Sequence, residues 1–490
     1  MSSENTVQEK ARRGFAAMDP SKVRAIAARA GGPRLLHGPF PLNRLALSLP
    51  LIIACASEIA DLPNEEGAYT GQSAAALTRD RAPDGALTIK TARDFKVRRG
   101  ALLTYIWGQG SLPTHLPARL SKGVSACNGR VGDDCNPLGA FENLRRVDNI
   151  FVAMELGERS VAHHFIPTTG NGRLVIVHHG HGCSFGDHLS GGSADTGEVR
   201  LIESLVKDGF AVLGMYMPRQ QPGNCDGTRD GDGYGPHDHY FKAVTVASGS
   251  VLKFYVEPIA VALNYLRTSS EQFGYVSYDL VGLSGGGWTT TLYAAIDPTI
   301  EVSVPVAGSL PLFMRKCEFR TNIAQPPRNC NWGYDGDSEQ TYPAVYGDPG
   351  VARYLDLYAL GAQGEKRRQI QILNRRDSCC FGELQFAMDP SFGARWSWDD
   401  YIHDYARSVE ATVARTKAGS FAAVVDDMAT KHEISSCAIT NVILPALERS
   451  DAGIDGDAYP LPSDAGWTPD VSGKVGWQPR SERSSECSDE

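Results

Sequence analysis

Residues 278–298 read YDLVGLSGGGWTTTLYAAIDP. An apolar run from Asp279 to Leu283 reads as a buried strand. Gly282-Leu283-Ser284-Gly285-Gly286 turns the chain sharply, and a run of small residues from Gly287 to Ile296 reads as a helix. A serine at such an apex has its hydroxyl lifted clear of the backbone. Glycines two residues either side let strand and helix pass close together, which is the geometry a nucleophile needs.

The G-x-S-x-G pattern alone does not select this serine. The chain has 51 glycines in 490 residues, and a second match occurs at Gly182-Cys183-Ser184-Phe185-Gly186. Context separates the two. Ser184 also follows an apolar strand, 174–177, but the residues after it, FGDHLSGGSADTG, do not read at once as a helix. Ser284 runs directly into one.

Outward from the elbow the chain alternates strands and helices. Strands are expected at 174–178, 210–217, 279–283, 301–307, 369–373 and 420–425. Helices are expected at 196–208, 250–266, 287–296, 398–415 and 433–447. This alternation predicts an α/β fold with a mostly parallel central sheet covered by helices on both faces. Residues 149–154 and 160–165, joined through Gly157, predict an antiparallel hairpin at one edge.

The division expected is a leader region at 1–56, an irregular extension at 57–146 wrapping the core, and a catalytic domain at 147–450. Within that domain 310–364 reads as a lid or insertion, and 451–490 as an exposed tail rich in Gly, Pro, Ser and Asp. A net charge of −9 with no basic stripe excludes nucleic acid as a natural partner. No 18 apolar residues run together, so no transmembrane helix is expected.

The run LALSLPLIIAC at 45–55, preceded by Arg44 and ending in Ala54-Cys55-Ala56, reads as a leader cleaved after Ala56. It implies a secreted or periplasmic protein; uncleaved, it would be an ordinary buried segment of a cytoplasmic one. Removing Cys55 from the eleven cysteines leaves ten, an even number suited to disulfides. The local pairings expected are Cys127 with Cys135, Cys317 with Cys330, Cys183 with Cys225, and Cys379 or Cys380 with Cys437.

A serine hydroxyl is a poor nucleophile until a histidine takes its proton and an acid orients that histidine. Asp377 lies four residues past strand 369–373, and His432 seven past strand 420–425. Both fall in loops at the carboxyl ends of expected parallel strands, where ligand sites of such sheets collect. Asp335 and Asp337 are rival acids. After strand 174–178 comes His179-Gly180-His181-Gly182. A backbone N–H there, that of His181, pairs with the N–H of Gly285 as donors for a developing oxyanion. His178 and His179 read as packing or hydrogen-bonding groups.

With Ser284, Asp377 and His432 in this order, the chain resembles the α/β-hydrolase superfamily over about 147–447. The pattern is specific for fold and triad, not for substrate. The resemblance implies a serine hydrolase acting on a carboxylic ester of a small molecule or polymer, without cofactor or metal. The long amino-terminal extension and the Cys379-Cys380 pair are departures from a minimal member.

Three other readings compete. A peptidase or amidase would use the same triad. A zinc hydrolase would draw on His178, His179, His181, Asp187, His188, His237 and His239, but Asp187 comes six residues after His181 where an H-x-H-x-D-H motif needs two. A hydrolase-like fold used only for binding would leave the intact Ser, Asp and His without a purpose. Asp226, Asp230 and Asp232 lack the spacing of a calcium loop.

Overall fold

The computed structural model describes residues 87–124, 141–181, 197–221, 224–225, 236–269, 271, 273–314, 338–346, 350–377, 381–383 and 398–450. Nine strands form one sheet: β1 Arg119–Val124, β2 Leu144–Ala153, β3 Arg159–Pro167, β4 Arg173–His178, β5 Ala211–Met215, β6 Ser277–Leu283, β7 Ile300–Val306, β8 Arg368–Asn374 and β9 Ser420–Asp426. Their order is β1-β2-β3-β5-β4-β6-β7-β8-β9. From β5 to β9 every pairing is parallel, while β1, β2 and β3 add an antiparallel edge.

The sequence explains the centre of this sheet. All six residues of β4, RLVIVH, are buried, as a parallel strand covered on both faces requires. Its one charged member, Arg173, is neutralised on the neighbouring strand, with Nη2 donating to Asp279 Oδ2 at 2.9 Å and Nε to Ser277 Oγ at 2.9 Å.

Helices cover both faces. One apolar layer is contributed by α1 Ala92–Trp107, α4 Lys253–Thr268, α5 Gly285–Ile296, α7 Tyr354–Ala362 and α8 Trp398–Ala414. The opposite layer is built on α2 Glu198–Lys207 and a closing helical segment from Ser436 to Ser450. Two shorter helices, α3 Pro236–Ala243 and α6 Ser338–Thr341, lie in the connections. Helices on both faces of a mostly parallel sheet, with this strand order, are the α/β-hydrolase fold. No described helix is long and apolar enough to cross a membrane.

Several elements differ from what the sequence announces. The Gly/Pro/Arg texture of 57–146 hides α1, whose Arg99 ties it to the core: Nε donates to the Ala295 carbonyl at 2.9 Å and Nη2 to that of Leu360 at 3.0 Å. The end of the expected lid is α7, a core helix. Every residue of YLDLYALGA is buried, so no exposed face gives the sequence a helical period to detect. Its Asp356 is fully buried and accepts from the backbone N–H of Thr88 at 2.7 Å and of Ile89 at 3.0 Å.

The disulfide expected between Cys379 or Cys380 and Cys437 is overturned. Cys437 is a buried thiol inside the apolar layer that also holds Ile434, Ala438, Ile439 and Val442. No disulfide occurs among the described residues. Spacing along the chain cannot say which face of a helical turn a cysteine takes, and here the first closing turn buries it. The cysteine argument for an exported protein is withdrawn with it. Each of the other expected pairings has at least one cysteine outside the described residues, and the run at 45–55, Ser184, Asp335, Asp337 and the Asp226–Asp232 loop lie outside them altogether.

Candidate active site

The register of the parallel strands sets their carboxyl ends side by side. His178 pairs with Gly282, Leu283 with Val306, and Asn374 with Asp426. The loops that follow carry His181, Ser284, Asp377 and His432, so these four residues fall at this one edge. β4 is where the topology turns. The connection after β4 runs to β5 on one side and that after its neighbour β6 runs to β7 on the other, and the crevice beyond such a switch is where open α/β sheets bind ligands.

Ser284 has φ 57° and ψ −125°, a backbone state that non-glycine residues rarely adopt. Close packing enforces it. A β-carbon on Gly282 would lie 2.3 Å from the Gly286 carbonyl oxygen; one on Gly286 would lie 2.1 Å from that of His178. Strand and helix therefore touch backbone to backbone. Behind the turn, Ser284 N–H donates to the Val306 carbonyl at 3.0 Å.

The helix that follows is buried along its whole length. Its three consecutive threonines satisfy their hydroxyls within it: Thr289, Thr290 and Thr291 Oγ1 donate to the carbonyls of Gly285, Gly286 and Gly287 at 3.0, 2.9 and 3.2 Å. Gly285 opens α5, so its N–H is one of the donors that no helical carbonyl reaches.

The His-Gly-His loop sits on this elbow. A β-carbon on Gly180 would come within 2.6 Å of Ser284 Cβ, and one on Gly285 within 2.7 Å of the His181 ring. His178 and His179 are the hydrogen-bonding groups expected of them: His178 Nδ1 lies 2.9 Å from the His179 carbonyl, and His179 Nδ1 2.7 Å from Glu198 Oε1. Burial pushes the His178 imidazole down to about 4, so it is neutral at physiological pH.

Asp377 and His432 are brought into contact. His432 Nδ1 donates to Asp377 Oδ2 at 2.8 Å, with Asp377 fully buried. The far ring nitrogen, Nε2, is shielded from solvent and has no hydrogen-bond partner among the described residues, so it is not bonded to Ser284. An imidazole fixed through Nδ1 by a carboxylate keeps its proton there and offers the lone pair of Nε2.

Two residues that hold this pair were missed in the sequence. Asn374, the last residue of β8, donates from Nδ2 to the carbonyls of Lys431 at 3.3 Å and Glu433 at 2.8 Å, gripping the backbone on both sides of His432. Its register partner Asp426 accepts from Met428 N–H at 2.8 Å, Ala429 N–H at 3.1 Å and Ser435 Oγ at 2.6 Å, which shapes the loop carrying the histidine. The only available signal was position: each closes a strand beside the site.

Of the residues considered for zinc, His181 and His237 converge, and Glu339 joins them. His181 Nε2 lies 3.0 Å from His237 Nδ1 and 3.1 Å from Glu339 Oε1, and His237 Nδ1 lies 3.3 Å from the same oxygen. Burial pushes the Glu339 carboxyl up, but the charge of His237 and the hydrogen bonds from both imidazoles outweigh it, and the net shift is downward. Asp187 and His188 lie outside the described residues. Trp288 and Phe381 belong to the core and not to the site: Trp288 is fully buried, with Nε1 donating to Tyr346 Oη at 3.1 Å, and Phe381 is buried in the same layer.

No protein-family model matches the chain, and neither does any curated protein. Among solved structures it is similar to Est1E from Butyrivibrio proteoclasticus, at 15% identity over 61% of this chain and 99% of that one, with a TM-score of 0.36. It is also similar to methylesterase BT1017, at 14% identity over 79% and 69% with a TM-score of 0.44. An acetyl xylan esterase from Paenibacillus sp. R4 matches at 16% identity over 76% and 98%, with a TM-score of 0.40. Likeness at this level adds nothing to the strand order already described.

Proposed function

We propose that this chain, with its α/β-hydrolase fold, is a serine hydrolase that cleaves a carboxylic ester through Ser284, His432 and Asp377. The observation that carries the reading is the backbone of Ser284. A serine held at φ 57° on a turn whose flanking glycines have no room for a β-carbon is a conformation with a cost, and such strain persists where it serves a site. The Asp377–His432 pair, with Nε2 unpartnered at the same sheet edge, supports it.

In this reading His432 Nε2 takes the Ser284 proton as Oγ attacks the ester carbonyl. Asp377 holds the resulting imidazolium. The N–H groups of Gly285 and His181 stabilise the tetrahedral oxyanion, and its collapse expels the alcohol, protonated by His432. Water activated by His432 then releases the acid. An ester fits better than an amide because an alkoxide asks less of the site on departure than an amine does.

The test is labelling with a fluorophosphonate, alongside turnover of a graded series of chromogenic acyl esters and one anilide. Wild type, Ser284→Ala and Ser184→Ala are compared. Ser284→Ala is expected to lose labelling and to fall by about 10⁴–10⁶ in kcat, with Ser184→Ala labelled like wild type. Undiminished labelling of Ser284→Ala would sink the assignment.

A further inference from the structure

We propose that His181, His237 and Glu339 form a divalent-metal site of the zinc type, with three protein ligands and a further position open to water or a substrate oxygen. The site does not depend on the role given to Ser284. Its three donors come from separate parts of the chain. His181 follows β4, His237 lies in α3 and Glu339 in α6; the Phe241 ring of α3 packs 4.8 Å from that of Tyr342, the residue that follows α6.

The donor triangle is the first argument. Its edges are 3.0, 3.1 and 3.3 Å. Protons cannot satisfy all three edges. If both imidazoles donate to Glu339, two N–H groups face each other across 3.0 Å. If His181 donates to His237 instead, a bare nitrogen lone pair of His237 faces the carboxylate oxygen. A cation above the triangle takes all three lone pairs together. Tetrahedral zinc with bonds of about 2.0–2.2 Å holds its ligands about 3.3–3.6 Å apart, so the donors need to spread by only a few tenths of an ångström.

The second argument is charge. Glu339 is fully buried, and its Oε2 has no hydrogen-bond partner among the described residues. No lysine or arginine is paired with it among those residues; its ion partners are the two imidazoles. His237 is equally buried, while His181 keeps 23% of its side chain exposed. A buried carboxylate calls for a cation, and the partly open His181 side gives one a way in. Two histidines and one glutamate are a donor set suited to zinc with a vacant coordination position.

Placement gives the site a consequence. The His181 ring lies against Gly285, so a metal here ties α3 and α6 to the loop seated on the elbow. An ion would fix the position of the backbone N–H of His181 and set its own open coordination position beside the strand-end crevice.

The experiment uses the full chain, stripped with chelator and then titrated with zinc by calorimetry, and separately with cobalt(II) by visible absorption. The eleven cysteines of the chain are alternative zinc ligands, so the comparison is between wild type and Glu339→Gln. Wild type is expected to bind one high-affinity zinc that Glu339→Gln weakens by more than about a hundredfold, since losing even a supporting group costs about 10–100-fold. The cobalt spectrum should be that of a tetrahedral nitrogen–oxygen site. A thiolate charge-transfer band, equal affinity in the two proteins, or no stoichiometric binding by wild type would overturn the proposal. Should Glu339→Gln not fold, the wild-type cobalt spectrum decides alone. Ser284→Ala is expected to bind zinc as wild type does, which keeps this result separate from that of the labelling.

Discussion

Two groups of residues meet at the sheet edge and are built in opposite ways. The elbow is local: Gly282, Ser284, Gly285 and Gly286 are nearly consecutive, and a single strand and helix hold them. The His181, His237 and Glu339 cluster is assembled from three segments separated by 56 and 102 positions (237 − 181 and 339 − 237). The elbow stores strain in one backbone angle and fixes it by close packing. The cluster gathers donors whose mutual geometry no arrangement of protons satisfies. One is a turn that its own sequence dictates; the other exists only after the rest of the chain has folded.

The sharpest test of the comparison is chemical. If the elbow supplies the nucleophile and the metal cluster stands apart from the proton relay, His432→Ala should abolish ester turnover by about 10⁶-fold. Asp377→Asn should lower it by about 10⁴-fold, because the amide holds the wrong imidazole tautomer. Both variants should bind zinc as wild type does. Retained turnover in His432→Ala, lost on chelation, would transfer the chemistry to the cluster and break the division.

Why one group was legible and the other was not follows from this difference. Gly-x-Ser-x-Gly on a strand–helix boundary is a short-range pattern, and Asp377 and His432 each follow an apolar strand of clear length. Their loops could be found by counting from a strand end. Glu339 had no such anchor. It sits in a four-residue helix within a stretch without periodicity, and nothing near it in sequence says that it faces two histidines. His181 and His237 belong to a histidine-rich set in the sequence, but that set matches no motif spacing, which a site gathered through tertiary structure need not obey. Asn374 and Asp426 are silent in the sequence for a related reason: a polar residue ending a strand has many ordinary explanations until its partners are known. α7 escaped because a helix buried on every side has no amphipathic period, and α1 because the texture around it suggested loop.

A second test concerns the packing of the elbow. Gly286→Ala would set a methyl 2.1 Å from the His178 carbonyl oxygen, a backbone atom that no side-chain rotation can move away. Separating strand and helix enough to admit it is expected to cost about 3 kcal/mol or more. That should lower the thermal midpoint by several degrees and reduce labelling at Ser284. Glu339→Gln exchanges one buried polar group for another of the same size, and its stability loss without metal should be smaller than that of Gly286→Ala. A Gly286→Ala protein as stable as wild type would mean that the backbone contact is not what holds the serine in its strained state.

The smallest expected effect is the one most specific to the contrast. Amide hydrogen exchange reports local opening segment by segment, and a ligand that bridges segments slows opening only in those it joins. Zinc loading is therefore expected to slow exchange about tenfold across 237–243 and 338–346. A tenfold change corresponds to about 1.4 kcal/mol of local stabilisation. The amides of α5, 285–296, should exchange at the same rate with and without metal, because that helix is already sealed by backbone contacts and by its own threonine hydroxyls. If α5 slows together with the other two segments, elbow and cluster open as one unit and the metal supports the strained serine as well as the loop above it. If none of the three responds, the donors are rigid without an ion, and the cluster is prearranged by the surrounding fold in the same way as the elbow.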